Sequence, residues 1–147
     1  MNRTGRTNQV IYFARLNLQQ ANEAGGLQDK QMFEETVLHH LYSAVMSLTG
    51  ELVQQYNLEP FTDLDELLSR DALPSELYEL SLIKSQSTSW LYNLLKQHQR
   101  MIFSGLVENN VNSGLITTQS DYCALFANYL NEIENLVQRM RVHYQEN

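Results

Sequence analysis

The amino-acid sequence predicts an all-α protein, an up-and-down four-helix bundle with short helices inserted between the second and third long helices. Three observations predict it. Apolar residues recur at three- and four-residue spacing through four long stretches. Proline occurs only at Pro60 and Pro74, which leaves the stretches on either side uninterrupted. The connections are short or modest, as antiparallel neighbours require. At 147 residues and 43% apolar content, the chain reads as one domain, 1–147. A domain of that size buries roughly 68–70% of its unfolded surface and needs no metal or disulfide to hold a core.

The first helix is predicted over about Asn8 to Ala24, with Thr7 as N-cap, because a hydroxyl there accepts from a free amide of the first turn. Val10, Phe13, Ala14, Leu18 and Ala21 fall on one face, and Gly25-Gly26 is expected to stop the helix in a left-handed turn. The second helix, capped by Asp29 and reaching Tyr56, carries two apolar stripes: Val37, Leu41, Val45, Leu48, Leu52, and Leu38, Tyr42, Met46, Val53. Two stripes imply burial on more than one side, as for a central helix. Ser43, Ser47 and Gly50 form a strip of small side chains that a second helix could approach closely; Gly50 is otherwise a tolerated kink, costing about 1 kcal/mol relative to alanine.

Residues 58–86 read as the insertion. Asp63 and Glu66 have capping-box spacing ahead of Leu67 and Leu68, and Pro74-Ser75 opens a second short helix with Leu77, Leu80 and Ile83. The third long helix starts near Ser87 or Thr88, carries Trp90, Leu91, Leu94, Leu95, Met101 and Ile102, and weakens at Ser104-Gly105. Glu108 to Gly114 reads as a loop. The last helix begins around Thr118 to Ser120, with Tyr122, Phe126, Tyr129, Ile133, Leu136, Met140 and Tyr144 on its inner face.

Charge and composition exclude several functions. The net charge is −7, and the stretch Glu59 to Glu79 holds seven acids against Arg70 alone, or −6. There is no basic stripe of the kind that phosphate neutralisation demands, so nucleic acid is not an expected partner. In an up-and-down bundle, Arg3, Arg6, Arg139 and Arg141 would face those acids from the same end. No apolar run approaches the roughly 18 residues of a membrane span. The N-terminus lacks the apolar core of a signal peptide. The single cysteine, Cys123, forms no intramolecular disulfide, and the expected location is cytoplasmic.

Candidate chemistry is sparse. Di-iron bundles use Glu-x-x-His pairs, and no Glu in this chain is followed by His at the third position. Adjacent His39 and His40 diverge by about 100° on a helix, a poor geometry for one metal ion. No metal or other cofactor is expected. His40 and His98 lie beside apolar faces and read as boundary histidines bonded locally; Cys123, on a stripe with Phe126, Leu130 and Val137, reads as a buried inert thiol. Arg139 and His143 lie one turn apart on an outer stripe with Glu132, so they could grip a phosphate and move a proton. The two-helix opening with a tyrosine in the second helix resembles the HEPN ribonuclease domains, which place four to six residues between an Arg or Asn and the His. Here three intervene, and a solvated polar face is the plainer account. Asn17, His40, Tyr42 and Trp90 are the candidate binding residues: polar tips expected to meet between the first three long helices, either as a structural network or as the lining of a small pocket.

The runs Arg6-Thr7-Asn8-Gln9, Tyr12-Phe13-Ala14, His40-Leu41-Tyr42 and Ser89-Trp90-Leu91 resemble an uncharacterised family of short helical proteins from gammaproteobacteria, a domain of unknown function. The likeness spans the chain up to about Leu95. Beyond it, the family often carries a longer basic, proline-containing segment, whereas Val107 to Thr118 has neither proline nor basic residue. The resemblance implies a bacterial cytoplasmic protein and no mechanism. Two functions therefore compete: a non-enzymatic helical interaction module, binding a protein partner or itself, and a HEPN-like ribonuclease using Arg139 and His143. The first requires an exposed apolar surface, the second a cleft on which those side chains converge.

Overall fold

The computed structural model describes residues 2–106 and 121–146, and among these the secondary structure is entirely α-helical. The helices are α1 (Arg3–Glu23), α2 (Leu27–Gln55), α3 (Leu64–Leu68), α4 (Ser75–Ser85), α5 (Trp90–Ser104) and α6 (Asp121–Glu146). The expected loop at 108–114 and the expected start of the last helix lie outside the described residues.

Boundaries differ from expectation where capping chemistry competes. Helix α1 begins at Arg3, because Asn2 is the N-cap and its side chain accepts from the Gly5 amide at 2.7 Å. Thr7, expected as the cap, is instead fully buried inside the helix, with its hydroxyl 2.6 Å from that of Ser47 on α2. Nor do Gly25 and Gly26 turn left-handed. Ala24 and Gly26 are both extended, and Gly26 rather than Asp29 is the N-cap of α2. Of the capping box expected at the insertion, Asp63 supplies its half by accepting from Glu66 N–H at 2.7 Å, while the Glu66 carboxylate instead receives Arg70; α4 opens at Pro74-Ser75. Helix α5 starts two or three residues later than expected, because Ser89 caps it by accepting from Tyr92 N–H. It ends at Gly105, which takes a positive φ of 74° that favours glycine.

Packing follows the apolar stripes. Helix α2 touches α1, α4, α5 and α6, and its stripe Val37, Leu38, Leu41, Val45, Leu48, Leu52 is buried throughout. Helix α1 lies along α2 through small residues, Thr7, Ala14 and Ala21, all buried. The small-residue strip of α2 does receive it: Ser47 meets Thr7, and Arg3 lies over Gly50, where an added Cβ would come within 2.8 Å of the guanidinium. Contacts between α1 and α2, and between α6 and the segment from α5 to Leu106, run in reversed order. Residues 7 and 13 of α1 meet 47 and 40 of α2, and 97 and 106 meet 129 and 122 of α6. Helices α3 and α4 pack on each other, with α4 against α5 and α2. No described helix is long and apolar enough to cross a membrane.

Candidate functional site

A cleft of roughly 670 Å³ lies between α5 and the α3–α4 segment. That volume lies within the range of about 300–1,000 Å³ typical of ligand sites. One wall is the outer stripe of α5, with Tyr92, Leu95, Lys96 and Ile102; the other carries Leu64, Asp65 and Lys84. Successive turns of α5 place the first set on one side because 92, 95, 96, 99 and 102 recur at three- and four-residue spacing. The adjoining stripe, Leu91, Leu94 and His98, is buried, and His98 also borders the cleft.

The floor is aromatic. Tyr42 of α2 lies flat against His98 of α5, with centroids 3.9 Å apart and planes 3° from parallel. His39, one turn before Tyr42, brings Nδ1 to 3.2 Å from His98 Nε2, so one imidazole donates and the other accepts. His98 is only 6% exposed. Burial, and secondarily the neighbouring His39, pushes its pKa down to about 4, so it is neutral near pH 7. Charges at the rim are unequally engaged. Lys84 pairs with Asp65, and Asp63 is occupied in capping α3. Lys96 lies over the Tyr92 ring at 5.5 Å and has no acidic partner among the described residues.

The residues singled out from sequence lead to separate places. The Asn17 amide donates to Phe13 O on its own helix. His40 packs its ring on Phe13 at 5.5 Å, across the α1–α2 seam, and burial holds its pKa below the usual imidazole value, with His39 and Arg6 adding to the effect. Tyr42 turns the other way, to His98 and the cleft. Trp90 is half-buried against the core at the start of α5. The four do not converge among the described contacts. The meeting of His39 and Tyr42 with His98 is what the pattern did not reveal: the spacing of His39 and Tyr42 puts them on one face of α2, but His98 reaches them only through the α2–α5 register.

Arg139 and His143 border a smaller hollow, of about 350 Å³, with Ser75, Glu76 and Glu79. Arg139 forms two contacts with Glu79, at 2.8 and 2.9 Å. His143 Nδ1 lies 3.0 Å from Glu76 Oε2, which also accepts from Tyr56 OH at 2.6 Å. Burial would raise the Glu76 carboxyl, but hydrogen bonds from Tyr56, then His143 and Ser75, outweigh it and hold it below the usual range. Of the four arginines expected against residues 59–79, Arg139 alone is seen paired there. Arg141 reaches across to Glu51, Asn8 and Thr4 O, Arg6 bonds Gln9, and Arg3 covers Gly50. The cause is Glu51, a buried carboxylate on α2 that outcompetes the exposed acids for Arg141.

Cys123 is buried, with its thiol 3.7 Å from Glu34 Oε2. Burial, then the Glu34 charge, pushes its pKa up, the opposite of what a nucleophile requires. Among the described residues no three His, Cys, Asp or Glu side chains are grouped so as to hold a metal ion.

No curated protein and no solved structure matches this chain. A family model does match, over residues 1–147: the chain belongs to the family of unknown function DUF6586.

Proposed function

We propose that this protein is a non-enzymatic, single-domain interaction module whose working surface is the cleft between α5 and the α3–α4 segment. The scaffold is an up-and-down four-helix bundle, a reading supported by the reversed order of contacts between α1 and α2 and between the α5 segment and α6. The setting is cytoplasmic, with Cys123 as a free thiol. The partner is a polypeptide that lays an apolar side chain on the aromatic floor. One observation carries this: the cleft joins a ligand-sized volume to a stacked Tyr42–His98 floor and an apolar rim, with Ile102 63% exposed.

Indole, as a minimal aromatic side chain, tests it by saturation-transfer NMR. Binding should be lost in Leu95→Trp, which fills the cleft, and retained in Val142→Trp, beside the Glu76 hollow. Equal binding by both variants, with helicity unchanged by circular dichroism, would remove the cleft from consideration.

A ribonuclease built on Arg139 and His143 is the second reading. In its favour, both residues border one hollow and a buried carboxylate orients the imidazole. Against it stands the charge: Glu79 and Glu76 occupy the two groups, and the acidic excursion around them repels a phosphodiester. Unchanged single-stranded RNA on incubation with the protein, assayed alongside the His143→Ala variant, is the expected result.

A further inference from the structure

Lys96 sets the cleft apart from a simple apolar groove. Its neighbours at the rim are already matched: Lys84 with Asp65, Asp63 with the first turn of α3. Lys96 is exposed and held over the Tyr92 ring, and it makes no ion pair among the described residues. The floor below offers flat rings, Tyr42 on His98, with Leu64 and Leu95 on the walls. A planar ring buries large apolar area for little lost rotamer freedom. A carboxylate beside that ring would find in Lys96 a cation that makes no ion pair among the described residues.

Resting on the cleft being the working surface, we propose that its occupant is a polypeptide segment presenting an aromatic side chain next to a carboxylate. The ring lies against the Tyr42–His98 floor and the carboxylate meets Lys96. An acidic side chain adjoining the aromatic residue, or a C-terminal aromatic residue with its own carboxylate, supplies the same pair of groups. An apolar segment without the acid fills the volume but leaves Lys96 unmatched. A basic segment places like charge against it. Buried neutral His98 leaves the floor uncharged near pH 7, which suits a ring and gives no second cation for a dianion.

N-acetyl-tryptophan and N-acetyl-tryptophanamide share one ring and differ by one carboxylate, so they separate the two parts of the claim. Each is titrated into the full chain at low salt, to about 10 mM, and followed by 1H–15N amide shifts. Both should move the amides of Tyr42, Tyr92, Leu95 and Gln99, with the acid binding about threefold to tenfold more tightly. Lys96→Gln should abolish that difference and leave the amide's affinity unchanged; Lys96→Arg should restore it. N-acetyl-glutamate, charge without a ring, should not move the cleft. If the acid and the amide bind equally, or if Lys96→Gln leaves their ratio intact, the carboxylate preference is wrong while the cleft stands. If neither probe moves a cleft amide, the cleft fails as the working surface and this inference fails with it.

Discussion

Two of the regions in which the molecule buries ionisable groups treat them differently. Near the ends of α2 and α6, Glu51 is 4% exposed and receives Arg141 at 2.8 and 3.1 Å and Tyr144 OH at 2.8 Å. Arg141 is itself shared with Asn8 and Thr4 O of α1. Burial favours the neutral carboxyl, but the bonds from Arg141, Thr7 and Tyr144 overcome it and hold Glu51 ionised. At the cleft, burial wins: His98 is neutral, stacked on an uncharged ring, and the neighbouring surface is open. A charge is kept inside where three helices converge to satisfy it. Where one face of a helix must stay open, the buried group gives up its charge. The first arrangement closes the fold; the second leaves a surface to be used.

The largest effect expected from disturbing this contrast is at Glu51. Glu51→Gln leaves Arg141 mostly buried without its carboxylate, and breaking such a pair costs about 3–5 kcal/mol. Urea unfolding should show a loss of that size; a loss under about 1 kcal/mol would mean that the network is solvated and the two regions are alike.

pH separates the regions next. The His98 pKa in the folded protein lies below its ordinary value of 6.5, so the unfolded chain takes up a proton more readily. Its contribution is full above pH 6.5 and is lost as pH falls through the folded value near 4. At 1.36 kcal/mol per pKa unit, the loss is about 3 kcal/mol. Glu51 and Glu76, held below the ordinary 4.5, contribute above that value and lose it only at lower pH. Unfolding free energy measured from pH 7 to 5 should therefore fall in the native chain and fall less steeply in His98→Gln, with His40, also held below its ordinary value, supplying part of what remains. A slope unaffected by that substitution would contradict the neutral, buried imidazole.

How much of this was legible in the sequence depended on whether a feature is local. The buried stripes of α2 and α6 follow directly from three- and four-residue spacing, and Asp63 and Pro74-Ser75 mark helix starts through chemistry within one turn. Thr7 misled because its hydroxyl satisfies two roles equally well on paper: an N-cap, or a buried partner for Ser47 forty residues away. Asn2, a better cap, settled the competition. The candidate residues suffered the same limit. His40 and Tyr42 are two apart and so about 200° apart on a helix, which sends one to α1 and the other to α5. Only the register between α2 and α5 pairs His39 and Tyr42 with His98, and register is written in the fit of whole faces rather than in any short motif.

Smaller effects sharpen the same contrast. Tyr42→Leu removes the ring stacked on His98 while keeping an apolar side chain. A loss of about 0.5–1.5 kcal/mol in thermal or urea unfolding is expected, the usual worth of an aromatic pair beyond its area. No change would indicate that the ring serves only the cleft. Gly50→Ala should do the reverse. The new methyl meets the mobile tip of the Arg3 side chain rather than backbone, and the helix gains up to about 1 kcal/mol of propensity. A modest rise in thermal midpoint is expected, and a fall would show that the seam between α1 and α2 needs Arg3 where it lies.

The most direct measurement is a 1H–15N amide spectrum of the full chain titrated with indole and read at both hollows at once. Shifts confined to Tyr42, Tyr92, Leu95 and Gln99, with Glu76, Glu79 and Met140 unmoved, are what an open aromatic cleft and a closed charged end predict. Shifts at the Glu76 hollow with a silent cleft would contradict the assignment of the working surface.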